Sequence, residues 1–213
     1  MSKPATSSKP SNSSKSSGSS KSSKLANASK PAKRTPYSLG KHVFLIGFMG
    51  AGKSTVARKL ARSVGLSSVD MDIYLERREG KAIKEIFATS GEETFRAIET
   101  DVLKELIAKE PLIISCGGGI VTRPENRELL HENGFVINLN VDVMEASERI
   151  SNKSSRPLFQ DLEAAAALAA ARRPLYEEAS HITIDTAHKS VGAITYAVRS
   201  ALEEEGILCP PQK

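Results

Sequence analysis

Nine residues, Gly47-Phe48-Met49-Gly50-Ala51-Gly52-Lys53-Ser54-Thr55, constrain the fold of this 213-residue chain more than any other stretch. They carry a G-x-x-x-x-G-K-S core, in which glycines let the backbone curl until successive N–H groups point inward at phosphate oxygens. Lys53 supplies a cation to the β and γ phosphates of a nucleotide. Ser54 offers a hydroxyl to Mg²⁺ at the start of a helix whose positive end faces the same phosphates. The flanks agree with this reading. His42-Val43-Phe44-Leu45-Ile46 leads in as a buried parallel strand would, and a helical stretch from residue 53 to about 64 leads out. The motif implies nucleotide binding, but it names neither a reaction nor a second substrate.

Beyond the motif, apolar runs at residues 67–69, 112–115, 135–139 and 182–184 read as strands with helical segments between them. Phe95, Ile98, Val102, Leu103 and Leu106 fall at helical spacing, and Ser90 with Glu93 has the form of a capping pair ahead of them. The Ala-rich residues 163–178 read as a helix despite Pro174. Strands alternating with helices predict a parallel sheet covered on both faces.

The net charge of +5 lies mostly in one place. Residues 1–41 hold nine lysines and arginines and no acidic residue, so the remainder is net acidic. That distribution argues against specific nucleic-acid binding. Residues 1–36 are dominated by Ser, Lys, Pro, Ala and Asn, too little apolar surface to offset their chain entropy, so a disordered tail is expected ahead of a domain at 37–213. Its Ser-rich, basic, acid-free composition is shared with organelle transit peptides, which leaves plastid import open; lysine nevertheless outnumbers arginine, and no amphipathic stripe is visible. No run of about 18 apolar residues supports a membrane span. Cys116 and Cys209 lie far apart without metal-ligand spacing, and a reduced, cytoplasmic setting is the expectation.

Four features lie where a second substrate and its chemistry would sit. Asp70-Met71-Asp72 follows the second strand; on an extended segment the two carboxylates share a face, so one can support hydrated Mg²⁺ while the other meets a substrate hydroxyl. The alternative is a helix cap plus a surface acid. Arg96 sits among core positions of a helix, either paired with Glu99 or reaching for an anionic ligand. Cys116-Gly117-Gly118-Gly119 follows a strand, where glycines let backbone amides approach a ligand; Cys116 itself reads as a packed, inert thiol. Last comes the basic, Pro-punctuated stretch of residues 153–159, which contains Arg156, followed by Arg172-Arg173-Pro174-Leu175-Tyr176. A loop holding Arg156 could close over ATP and place a guanidinium on the transferring phosphate. His42, His131, His181 and His188 are scattered and read as structural or exposed.

Taken in order, G-x-x-G-x-G-K-S-T, D-x-D, G-E-x-x-F-R-x-x-E, G-G-G, R-P-L and R-x-P-L-Y resemble the shikimate kinase family over about residues 43–190. The resemblance implies a three-layer α/β P-loop domain of the nucleoside-monophosphate-kinase-like kind, with a five-stranded parallel sheet. It implies transfer of the ATP γ-phosphoryl to the 3-hydroxyl of shikimate, with Mg²⁺, by a monomer. Carried over by position, Asp72 would orient or deprotonate the acceptor hydroxyl, with Lys53 and Arg156 as the other catalytic groups. Gly50, Ala51, Gly52, Lys53, Ser54, Thr55, Arg149, Arg156 and Lys189 would bind ATP. Asp72, Arg96, Gly117, Gly118, Gly119 and Arg172 would bind shikimate, the two arginines as buried cations at its carboxylate. Ser54 and Asp70 would support the metal.

Other small acceptors, gluconate or a nucleoside monophosphate, would need the same phosphate loop and basic lid. The arginine pair with D-x-D and G-G-G favours a polyhydroxylated carboxylic acid. A non-catalytic relative acting as an interaction module is disfavoured because no member of the catalytic set is missing. A third reading, with the tail as a basic binding arm, is tested by deleting residues 1–36.

Overall fold

The computed structural model describes residues 37–149 and 161–210. The tail at 1–36 and the segment carrying Arg156 lie outside the described residues. Five parallel strands form the central sheet: β2 (His42–Ile46), β3 (Ser68–Asp70), β4 (Ile113–Ser115), β5 (Gly134–Asn140) and β6 (Ile182–Asp185). Their order is β3-β4-β2-β5-β6. All five residues of β2 are buried. Because alternate side chains of a strand point to opposite faces, the sheet must be covered on both, which makes the domain three-layered. Each large apolar side chain buried this way contributes about 2 kcal/mol.

The helices expected at about 53–64 and 163–178 both form. α1 (Lys53–Val64) buries Val56, Ala57, Leu60, Ala61 and Val64, a stripe at helical spacing, and ends at Gly65 in the left-handed region. It packs against α7 (Val191–Glu204). α4 (Pro124–Asn133) and α6 (Leu162–Ala179) pack on each other and on β5, and Pro174 stays inside α6. α5 (Val143–Arg149) follows β5. Among the described residues, no helix is long and apolar enough to cross a membrane.

Three local expectations change. The predicted cap at Ser90 does not form. α3 runs from Ile83 to Ile107, and its break is Gly91, at φ 78 and ψ 174, while Ser90 Oγ faces Thr89 Oγ1 at 3.3 Å. A glycine in that conformation interrupts a helix more sharply than a capping side chain could. Asp70 and Asp72 do not share an extended segment. Asp70 ends β3 and caps α2 (Met71–Glu79), accepting from Ile73 N at 3.3 Å, whereas Asp72 lies in the first turn of α2. A short strand, β1 (Ser38–Leu39), also pairs antiparallel with β7 (Leu208–Cys209), a feature too brief to carry a periodicity.

The histidines do have partners. His42 is buried, contacts Ile107 O at 3.1 Å through Nε2 and accepts from Leu112 N at Nδ1, so it staples α3 and the following turn to the sheet. His181 Nδ1 accepts from Val136 N, and its ring stacks on His131 at 4.3 Å.

Candidate active site

The strand order reverses direction at the C-terminal end of β2, which has β4 on one side and β5 on the other. Open parallel sheets bind ligands in the crevice at such a point. Here the phosphate loop leaves β2, the glycine triplet leaves β4, and the Asp70–Asp72 turn leaves β3.

In the phosphate loop, Gly52 sits at φ 88 and leads directly into α1. Lys53, 9% exposed, donates from Nζ to the carbonyls of Gly47 at 2.7 Å and Phe48 at 3.0 Å, which fixes its ammonium across its own loop. Ser54 Oγ lies 3.1 Å from Ser115 Oγ at the end of β4. Ser54, Asp70 and Ser115 line one cavity of about 260 Å³ beside the loop.

The glycine triplet is where everything else converges. A methyl group on Gly117 would stand 2.7 Å from Asp72 Oδ1 and 2.9 Å from Glu99 Oε1. One on Gly119 would overlap the Arg96 guanidinium. On Gly118 it would lie 3.7 Å from both Gly47 O and Met49 N of the phosphate loop. The Gly118 carbonyl accepts from Tyr176 Oη at 2.5 Å and from Arg172 Nη1 at 3.4 Å, two side chains one turn apart on α6. A β-carbon at Gly117 or Gly119 would collide and one at Gly118 would just touch, so the backbone of this loop and four separate elements meet at contact distance.

Arg96 and Glu99 form a buried pair, with Nη1 to Oε2 at 2.7 Å; Arg96 also reaches the exposed Glu92 at 3.1 Å. Burial disfavours the Arg96 charge, yet Glu99 and Glu92 more than offset it and hold its pKa above the ordinary value. Burial pushes the Glu99 carboxyl up, Arg96 opposes that, and the nearby Asp72 charge adds to it. Phe87 and Phe95, with ring centroids 4.5 Å apart, wall the same region, and the Arg96 guanidinium stands 5.1 Å from the Phe95 centroid. The Tyr176 hydroxyl is pushed up to about 12, chiefly by burial, and so donates as a neutral phenol. The Cys116 thiol is buried and raised far above its usual range, again by burial, and is an inert packing group, as the sequence suggests.

Arg149 and Lys189 lie apart from this cluster, at the ends of α5 and β6. Arg149 donates to Thr186 Oγ1 at 3.0 Å, Thr186 O at 2.5 Å and Glu145 Oε1 at 2.6 Å. Lys189 is exposed and returns its Nζ to Asp185 O at 2.8 Å. The structure therefore brings together Lys53, Ser54, Asp70, Asp72, Arg96, Gly117, Gly118, Gly119 and Arg172, with Arg149 and Lys189 as a second group. One expectation about burial is corrected: Arg96 is buried but Arg172 is only partly so, because α6 presents it at the rim rather than in the core. Two groups were not singled out from the sequence. The sequence presents Glu99 only as a salt-bridge partner for Arg96 and gives Tyr176 no role, although its spacing of four from Arg172 puts both on one helix face.

The family model for shikimate kinase (SKI) matches residues 49–203. The shikimate kinase of Bacillus anthracis (strain CDC 684 / NRRL 3495) is 41% identical over 166 residues, covering 77% of this chain and 99% of the relative. That of Burkholderia thailandensis is 39% identical over 173 residues, covering 80% and 94%. Among solved structures the chain is similar to shikimate kinase from Acinetobacter baumannii in complex with shikimate, with a TM-score of 0.73, 35% identity and coverage of 78% of this chain and 94% of that one. The shikimate kinase from Aquifex aeolicus gives 0.69 at 32% identity, covering 78% and 98%.

Proposed function

The chain belongs to the shikimate kinase family, and from that membership we propose that it transfers the γ-phosphoryl of ATP to the 3-hydroxyl of shikimate, giving shikimate 3-phosphate and ADP. The observation that carries this reading is the convergence of Asp72, Glu99, Arg96 and the phosphate loop on Gly117–Gly119. A small acid bound there has a cation for its carboxylate, bare backbone for its hydroxyls and a carboxylate beside the transferring phosphate.

In this reading the phosphate-loop residues from Gly50 to Thr55 hold the ATP phosphates, and Lys53 neutralises charge on them. Arg96 and Arg172 take the shikimate carboxylate. The exposed contact from Arg96 to Glu92 is the one a substrate carboxylate displaces, while the buried Glu99 keeps the guanidinium aimed. Asp72 Oδ1 orients the 3-hydroxyl and accepts its proton as the hydroxyl oxygen bonds to the γ-phosphorus and the bond to the β–γ bridging oxygen breaks. Gly118, its carbonyl held by Tyr176, presents backbone to the ring hydroxyls. Arg156, outside the described residues, is assigned to the ATP phosphates.

Mg²⁺ fits the residues present. Ser54, Ser115 and Asp70 share a cavity and offer only oxygen, and no group of three or more His, Cys, Asp or Glu suited to a softer metal occurs among the described residues. Such a donor set suits an ion that keeps most of its water and leans on substrate phosphates. When bound, it supplies charge neutralisation on the β and γ oxygens. Two unpaired thiols, one buried and one exposed, support a cytoplasmic setting.

The test is ADP release from Mg-ATP by purified protein with shikimate, gluconate or nucleoside monophosphates as acceptors. Release that depends on shikimate alone is the expected result. Release with another acceptor instead would overturn the roles given to Arg96 and Arg172.

A further inference from the structure

We propose that Glu145 is a positioning residue for the nucleotide base, tying the Arg149 guanidinium and the backbone at His188 into one frame; this rests on the reading of Arg149 as part of the ATP site. One carboxylate oxygen makes both ties. Glu145 Oε1 accepts from Arg149 Nη2 at 2.6 Å and from His188 N at 2.8 Å. The first partner lies one turn along α5, the second in the loop after β6, so a single atom joins two elements that no covalent or sheet contact holds together at this point.

The loop needs such a tie. His188 has φ 55, the one non-glycine residue with positive φ among those described. A side chain in that region is held only where surrounding contacts over-determine the backbone. The neighbouring contacts fix the rest of the turn: Lys189 N donates to Thr186 O at 3.2 Å, and Ala187 N to Asp185 Oδ1 at 3.3 Å. Thr186 is fully buried and bonds back to Asn140 O, so the loop is rooted in the sheet. Arg149 ties α5 to Thr186 at the start of this loop, and the bond to Glu145 carries the tie on to the backbone of His188.

The consequence for Arg149 is geometric. It donates to Thr186 Oγ1, Thr186 O and Glu145 Oε1, and the N–H groups of a guanidinium point outward along its plane. The flat faces remain for stacking, and the plane cannot rotate while all three bonds stand. The backbone at 187–189 then stands at a fixed offset from that plane; its N–H groups are spent on Asp185, Glu145 and Thr186, and its C=O groups can meet the edge of a stacked base. The Glu145 carboxyl is held below the usual carboxylate range, first by the His188 N–H and further by Arg149, and so stays charged for both donors. Its other oxygen, Oε2, is buried and has no hydrogen-bond partner among the described residues, so a side chain without an oxygen acceptor at this position removes both ties.

Calorimetric titration of the full chain with Mg-ATP and with Mg-GTP, shikimate absent, tests this without depending on the acceptor. Glu145→Ala is expected to weaken ATP about tenfold and to narrow the ATP-to-GTP ratio. Glu145→Gln keeps an oxygen acceptor and should recover most of both. In turnover, the alanine variant should raise the ATP KM while kcat and the shikimate KM stay within about twofold. Arg149→Met separates the levels. If it leaves ATP binding unchanged, the assignment of Arg149 to the nucleotide is wrong and the proposal falls with it. If it weakens ATP while Glu145→Ala does not, only the role of Glu145 is overturned. Equal loss of ATP and shikimate affinity with a lowered melting temperature in Glu145→Ala would mark a purely structural residue and also overturn it.

Discussion

The two ends of the reaction crevice are built from different material. At the phosphate end, recognition is made by backbone: a loop of glycines, the N-terminus of α1, and one lysine braced on its own carbonyls. At the acceptor end it is made by side chains from α2, α3 and α6, packed so closely around Gly117 and Gly119 that no β-carbon fits. Backbone amides see any triphosphate alike, whereas a buried arginine–glutamate pair beside a carboxylate and an α6 arginine suits a single class of small acid. Generality and selectivity are thus separated in space, a few residues apart on the same sheet edge.

The largest effect should come from the group assigned to the acceptor hydroxyl. Asp72→Asn is expected to lower turnover about a thousandfold, the range of general-base loss, with ATP affinity unchanged. Single-turnover assays with calorimetry would check it, and turnover near normal would place the acceptor base elsewhere. Next, Gly117→Ala and Gly52→Ala should contrast. The first drives a methyl into Asp72 and Glu99. It should cost about 1–3 kcal/mol of stability, as overpacking does, and about a hundredfold in kcat/KM for the acceptor. The second meets no protein atom within 4 Å, so its stability cost is about 1 kcal/mol of strain at φ 88, and its damage should fall on ATP affinity and not on the acceptor. Equal damage from both would erase the distinction between the two ends.

Smaller still, Tyr176→Phe removes the hydroxyl from Gly118 O and should raise the shikimate KM several-fold, about the worth of one hydrogen bond, while the ATP KM stays put. The slightest effect lies outside both ends. The His181 pKa is lowered, first by burial and then by the charges of His131 and Lys41, with Glu205 opposing. Below the unfolded value near 6.5 the unfolded chain therefore binds more protons, so stability present above that pH is lost as pH falls toward the folded value. The melting temperature should rise from about pH 5 to about pH 7, and His181→Gln should flatten part of that rise.

The phosphate end could be read from nine consecutive residues because a strand, a loop and a helix are all local. Strand positions at β2, β4, β5 and β6 followed from apolar runs for the same reason. The acceptor end was legible only through the order of its motifs, since Asp72, Arg96, Gly117 and Tyr176 are brought together by the sheet topology and not by spacing. Where local patterns competed, they misled. Ser90 and Glu93 have the form of a cap, yet Gly91 supplies the break, and Asp70, still extended at the end of β3, caps α2 so that Asp72 falls in the helix. Glu99 looked like half of an ordinary i,i+3 pair, and nothing in its spacing tells that its other oxygen faces Gly117.

The pairing of Ser38 with Cys209 puts the entry and exit of the sheet domain side by side. Two ends that already touch can be spliced through a short linker and the chain reopened at an exposed turn such as the one at Gly80, between α2 and α3. Circular permutation of that kind keeps β2 joined to its loop and α1 but places β4 ahead of β2 in the chain. A permuted enzyme that still turns over would show that assembly of the crevice depends on which strands neighbour one another, and not on which is synthesised first.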